Sequence, residues 1–400
     1  MLFGWEKVMK NQRKIYLDEW IYVAAVMLVG ALFVFFYREF LVYSYDIDYH
    51  RIFTEHLFNI SLEEMHQLDS SIPVHAISYP LYHLVLKFIA ILMGNDYHWA
   101  SYIVLAGVNV LSIFLFRKLI AMIYKPKNVW ERIGLNLLSI VAIVFVVARS
   151  PLTDWRYYDV QCAANPLHNP TVLFVRPFGI VAFIAFVSVF LKVEKNMRYG
   201  KELAIFGVAM ILSILAKPNF AFAFLPAMGL FTLFYMIRKK TLKTGLNLLA
   251  TVLPSGALLI AQFMYLSANT EAVKTQFIFG GFTGLNPIEV VCASIATFPV
   301  VIILFSVKEF KNNSFYRLSI IALVVGWLEM FLLTNGPSGD FSWGYDLAVQ
   351  FATVVSIACS MNNIAMAKWR KYVGYLVFVY QVFCGVQYII EVHNYGRFLI

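Results

Sequence analysis

The 400-residue sequence has very little charge. Asp, Glu, Lys and Arg make up 14% of it, apolar residues 60%, and the mean hydropathy is +0.71. A soluble domain averages roughly 25% charged and about 45–50% apolar residues, so a soluble globular domain and a disordered chain are both excluded. Cysteine is equally scarce. Cys162 stands in a loop and Cys292, Cys359 and Cys384 in apolar runs, which leaves no disulfide scaffold and no zinc framework. Neither a Walker motif nor a Gly-rich phosphate loop is present, so no nucleotide site is expected. The net charge of +9 would suggest nucleic acid in a soluble chain. Here most basic residues stand in short loops between apolar runs, which is a topology signal and not a nucleic-acid footprint.

What the chain does have is apolar runs without period-2 alternation. These choose helices over a membrane barrel. The sequence predicts an all-α polytopic membrane protein with about 11 transmembrane helices, at roughly 20–37, 98–116, 133–149, 172–191, 203–216, 219–237, 246–266, 287–306, 316–333, 344–361 and 371–390. Lys7, Lys10, Arg13 and Lys14 precede the first run, with no small-residue cleavage site after it, as in an uncleaved signal anchor. Of the 32 Lys and Arg residues, 23 fall in the N-terminal tail and in the loops near 117–132, 192–201, 238–243, 308–317 and 368–371. That asymmetry predicts a cytoplasmic N-terminus and an outer C-terminus in a plasma or inner membrane. One membrane domain is expected, with no soluble C-terminal domain: 1–240 as a module bearing the outer loops 38–78 and 150–171, and 241–400 as further helices.

The apolar segment 79–93 stands outside that count, since a crossing there would move the later basic loops to the outer face. Tyr79, His83 and Lys87 recur at i, i+4, i+8 and form one polar stripe on a helix. A Lys at the bilayer centre costs about 2.5–3.5 kcal/mol on insertion scales. The segment therefore reads as a juxtamembrane or re-entrant helix with Pro80 in its first turn. A true span with a snorkelling Lys87 is the alternative.

Acidic and histidine residues gather in two outer loops. The first holds Asp46, Asp48, His50, Glu55, His56, Glu63, Glu64, His66, Asp69 and His75; the second holds Asp154, Asp159 and His168. Asp46 and Asp48 follow the first helix by about nine residues. Such a pair can hold a divalent cation such as Mg or Mn, or divide the work of base and orienter; solvated loops also produce it. The histidines lack zinc-site spacing. Ser61 to Glu64 reads as a capping box of a small surface helix. Lys217 at the apex of two short helices, and Arg176 one turn into its helix, are cations near membrane depth, where an anionic headgroup is the natural partner. Glu329 stands one turn from the outer end of its helix and either pairs with a cation or is simply terminal.

This arrangement resembles the GT-C glycosyltransferases, membrane enzymes that take a sugar from a polyprenyl-phosphate carrier on the non-cytoplasmic face. The matching parts are an acidic motif after the first helix (Asp46, Asp48), a juxtamembrane helix opening Tyr79-Pro80-Leu81-Tyr82, a second acidic outer loop (Asp154, Asp159), and a short hairpin with a Lys217-Pro218 turn. The run DIDYHRIFT from Asp46 to Thr54 is similar, over about nine residues, to a stretch of the first mannosyltransferase of GPI-anchor assembly; it supports the superfamily and not that enzyme. The resemblance covers about 15–240. It implies an inverting transfer to an acceptor hydroxyl of a lipid-linked glycan, wall polymer or glycolipid, with Asp46 or Asp48 as general base. Asp154 or Asp159 would assist a metal or orient the acceptor. Lys217 and Arg176, with His83 or Lys87 in reserve, would hold the leaving phosphate, and Tyr79 and His168 would line the substrate site.

Two other classes compete. A polysaccharide polymerase or ligase of lipid-linked glycans is expected to carry a large Arg-rich late outer loop, and the late outer loops here hold only Lys274 as a basic residue. A transporter or flippase tends to show internal repeats and helices broken at mid-membrane, and no repeat is visible.

Overall fold

The computed structural model describes residues 2–40, 45–57, 76–151, 169–239, 241–269, 275–279, 286–334 and 340–395. In chain order the described helices are α1 (Leu2–Phe40), α2 (Tyr45–His56), α3 (Pro80–Leu92), α4 (Tyr97–Ile123), α5 (Val129–Val141), α6 (Pro170–Glu194), α7 (Gly200–Ala216), α8 (Asn219–Lys239), α9 (Leu242–Asn269), α10 (Pro287–Thr297), α11 (Pro299–Ile303), α12 (Val307–Asn312), α13 (Ser314–Leu332), α14 (Asp340–Asn362) and α15 (Lys368–Tyr395). The only described strands are β1 (Gln276–Phe277) and β2 (Leu333–Thr334), an antiparallel pair.

Eight helices are long and apolar enough to cross a membrane: α1 from Asp18 to Glu39, α4, α6, α8, α9, α13, α14 and α15. The chain is thus an all-α, multi-pass membrane protein. α6 and α14 form its centre and the other long helices pack around them. Between α6, α8 and α14 the core is aromatic, with Phe183, Phe224 and Phe351 in edge contact at ring distances of 5.0 to 6.0 Å. Small residues let backbones close up. A Cβ on Gly344 would stand 2.7 Å from the Asn219 carbonyl oxygen, and one on Gly326 would stand 3.1 Å from the Tyr345 Cα.

Contacts between helix termini define two ends of the bundle. At one end Arg117 pairs with Glu19 at 2.6 Å, Arg132 with Asp18 at 2.9 Å, and Lys192 with Glu202 at 2.6 Å. Asn362 donates to the Ile123 carbonyl there. This is the basic end. At the other end α2 and α3 lie beside the start of α4 and the close of α9; we call it the α2 end.

Two segments expected to span as single helices are broken, and a third, expected to be short, forms a helix of 17 residues. Residues 203–216 lie in α7, whose 17 residues reach about 25 Å. The run 133–149 is helical only to Val141; its stretch 143–147, β-branched but for Phe145, continues as non-helical chain. The run 287–306 breaks between α10 and α11 at Phe298, where Pro299 restarts the helix. Backbone freed inside an apolar layer must find partners within the protein, and several of these groups do. Gln350 donates to the Ala142 carbonyl at 2.8 Å, Gln381 to the carbonyls of Val146 and Thr297 at 3.0 and 3.1 Å, and Ala148 N–H to the Ala296 carbonyl at 3.1 Å.

Candidate functional site

The acidic motif forms the first turn of α2, where carboxylates oppose the helix dipole favourably. Ile47, Arg51 and Thr54, at i, i+4, i+7, face inward and are buried. Asp46 and Asp48 are both half-buried, and a helix sets positions i and i+2 about 200° apart around its axis. The two carboxylates therefore have separate surroundings. Asp48 is held by its own helix: Arg51 donates to Oδ1 through Nε at 2.9 Å and Nη2 at 2.7 Å, while Nη1 of Arg51 reaches Glu55 at 3.2 Å. Asp46 shares a stripe with His50 and Phe53. Both rings lie against His83, with centroids 5.3 and 5.6 Å away. A single cation shared by Asp46 and Asp48 does not fit this geometry. Among the described residues, no three His, Cys, Asp or Glu side chains gather as a metal site.

The polar stripe of α3 turns inward. Tyr79 and His83 are buried, while Leu84, Phe88 and Ile91 are exposed on the opposite side. Lys87 is half-buried, donates to the Tyr97 hydroxyl, and stands 4.9 Å from that ring's centre. Tyr79 packs against Tyr265 and Leu266 of α9. Gln262 of the same helix donates to the Ser78 carbonyl at 2.6 Å and to the Ile214 carbonyl at 3.2 Å. One side chain thus ties the entry of α3 to the end of α7, three residues before Lys217. His83 is fully buried among Thr54, Phe53, His50 and Tyr82, and this desolvation lowers its pKa to about 3.

Deeper in the bundle, Arg176 is buried on α6. Its Nη1 lies 3.4 Å from Oδ1 of Asn109, whose amide donates to the Tyr37 hydroxyl at 2.7 Å. The Nε of Arg176 has no hydrogen-bond partner. Asp346 of α14 is buried as well and interacts electrostatically with Arg176. Lys217, also buried, caps α7 at the turn into α8. Phe220 of that turn lies on Gly179, one turn below Arg176, and the Asn219 carbonyl lies on Gly344, two residues before Asp346.

Asp46, Tyr79, His83 and Lys87 thus stand at the α2 end, and Gln262 links the entry of α3 to the end of α7 that Lys217 caps. Asp154, Asp159 and His168 lie outside the described residues, as do Glu63, Glu64, His66, Asp69 and His75. Glu329 is half-buried near the end of α13, and its Oε2 has no partner. Sequence reasoning missed Asp346, Asn109, Thr54 and Gln262. Asp346 had a usable signal, because an acid inside an apolar helix marks a functional site by default. The chain matches no protein-family model, and no curated protein and no solved structure matches it.

Proposed function

We propose that the protein is a membrane glycosyltransferase of GT-C type, transferring a sugar from a polyprenyl-phosphate carrier to an acceptor hydroxyl. The observation that carries this reading is the set of polar groups buried toward one end of the bundle: a half-buried Asp46 on a helix face with His50, which packs on the buried His83, and two buried cations, Arg176 six residues into α6 and Lys217 at the end of α7. Deep cations suit an anionic headgroup whose chain stays in lipid. A carboxylate above them suits an acceptor arriving from water.

In this reading Asp46 takes the proton of the acceptor hydroxyl as its oxygen attacks the sugar's anomeric carbon. The bond from that carbon to the phosphate oxygen breaks, and the polyprenyl phosphate leaves with the electron pair. Arg176 and Lys217 stabilise its growing charge. The α2 end faces away from the cytoplasm, and the chain crosses eleven times, with α5, α7 and the broken α10–α11 completing three of the crossings. Broken helices also occur in transporters. Here the freed carbonyls of Ala142, Val146 and Thr297 accept hydrogen bonds from Gln350 and Gln381, so these three are engaged within the bundle. Metal use stays outside the reading.

The test is turnover of undecaprenyl-phosphate-linked glucose, mannose and arabinose by purified protein, with release of undecaprenyl phosphate as readout and Asp46→Asn as the blank. Release that depends on Asp46 is expected. Neither binding nor release with any donor would overturn the reading. Lys217→Ala is expected to weaken donor binding at least tenfold while the protein stays folded; unchanged affinity would remove Lys217 from the phosphate site.

A further inference from the structure

Arg176 and Asp346 occupy equivalent places on neighbouring helices. Each stands six residues after its helix begins, about 9 Å below the α2 end. Lower down, the same two helices are joined by the Phe183–Phe351 contact at 5.0 Å. Arg176 is 2% exposed and Asp346 3%. A buried pair kept only to cancel its charges should close to a hydrogen-bonded salt bridge, since desolvation of two ions is offset only by good geometry. This pair does not close. Each charge acts on the other, yet the Arg176 guanidinium and the Asp346 carboxylate form no ion pair, whereas Arg51–Asp48, Arg117–Glu19 and Lys192–Glu202 close to 2.7, 2.6 and 2.6 Å. The Arg176 Nε–H is left without an acceptor. An unfilled donor and an unclosed pair together describe a place for a ligand that carries an anion at one end and hydroxyl donors at the other.

We propose that Asp346 is the residue that recognises the sugar: its carboxylate accepts hydrogen bonds from sugar hydroxyls while Arg176 and Lys217 hold the adjoining phosphodiester. This rests on the glycosyltransferase reading and adds to it a residue that decides specificity. A carboxylate that reads hydroxyls discriminates strongly, because a ligand without them leaves the buried group unpaired.

The experiment compares two probes on the purified full chain in detergent: an undecaprenyl-phosphate hexose from the panel above, and bare undecaprenyl phosphate. Asp346→Asn is expected to lower affinity for the sugar-bearing probe at least tenfold and to leave affinity for the bare carrier within twofold. Arg176→Lys is expected to weaken both probes alike. Equal loss of both probes in Asp346→Asn, or no loss of either, would overturn the proposal and make Asp346 a counter-ion only. If wild-type protein binds neither probe, the glycosyltransferase reading falls and takes this proposal with it. Should Asp346→Asn fail to fold, Asp346→Glu carries the same comparison, since it keeps the charge and displaces the carboxylate by one methylene.

Discussion

The Thr54 hydroxyl lies 2.8 Å from Nδ1 of His83 and gives its own proton to the His50 carbonyl, also 2.8 Å away. A hydroxyl has one proton to give. Nδ1 of His83 therefore carries the hydrogen and donates to Thr54, and Nε2 is left as a lone pair, buried and without a partner. Thr54 thus fixes the tautomer of a histidine that joins α2 to α3.

A pH dependence follows from this arrangement. The folded protein holds His83 neutral, with its pKa lowered by burial from 6.5 to about 3. Above pH 6.5 neither the folded nor the unfolded chain protonates it, and its contribution to stability is complete. Between pH 6.5 and about 3 only the unfolded chain binds the proton, so stability falls as pH falls, by at most about 1.4 kcal/mol per unit. Gln can keep a donor on Thr54 but does not titrate. Thermal unfolding in detergent at pH 7 and pH 4.5 should therefore show a larger drop for wild type than for His83→Gln. Equal drops would refute the buried neutral histidine.

The two acidic residues of α2 should separate in function. Asp48 is committed to Arg51, and at 36% side-chain exposure that pair is worth less than about 1 kcal/mol. Asp48→Asn should leave transfer within tenfold of wild type and move the unfolding temperature only slightly. Asp46→Asn should cost about 10²- to 10⁴-fold in turnover, the range of a general base, with donor affinity retained. Rate measurements under donor saturation decide between them, and a dead Asp48→Asn enzyme beside an active Asp46→Asn enzyme would reverse the assignment.

Parts of this site were legible in the sequence because periodicity reports which residues share a face. Tyr79, His83 and Lys87 at spacing four make a stripe, and the structure keeps the stripe while turning it toward the bundle. Asp46 and Asp48 read as an i, i+2 pair in an outer loop; the helix sets them on different faces, and nothing in three residues of sequence fixes that choice. Asp346 carries a signal, an acid inside an apolar run, but a span starting at 344 puts it only two residues in. The helix begins at Asp340 and carries it deeper. Hydropathy sums could not see the breaks at Val141 and Phe298, since both runs stay apolar throughout. Their local signals were weaker: the β-branched stretch after Val141 and the proline after Phe298.

Those breaks should be sensitive to small changes. Gln381 donates to the carbonyls of both Val146 and Thr297. Gln381→Leu would leave these acceptors without that donor, at about 1–3 kcal/mol for each one left unsatisfied. A Cβ at position 385 would collide with the Val144 carbonyl oxygen, so Gly385→Ala forces the backbone apart at a cost of about 1–3 kcal/mol. Both variants should unfold at clearly lower temperature in detergent, while Val386→Ala, at an exposed neighbour, should not. Wild-type unfolding temperatures in both would mean that the non-helical stretch after Val141 is not packed as described.

Orientation can be tested apart from chemistry. The loop between α6 and α7 belongs to the basic end, where Lys192 pairs with Glu202. The strand pair β1–β2 belongs to the α2 end, where Phe277 and Phe279 are exposed. If basic loops stay in the cytoplasm, a cysteine at Asn196 should react with an impermeant maleimide only after sealed cells are opened. A cysteine at Phe279 should react from outside without opening them. Cys359 and Cys384 are buried and Cys292 is half-buried, so the comparison is best made in a background with the native cysteines, including Cys162, replaced by serine or alanine. The reverse labelling pattern would place Asp46, Arg176 and Lys217 toward the cytoplasm. A donor held there would have to present its sugar on the cytoplasmic leaflet, and the mechanism above would require an acceptor from that side.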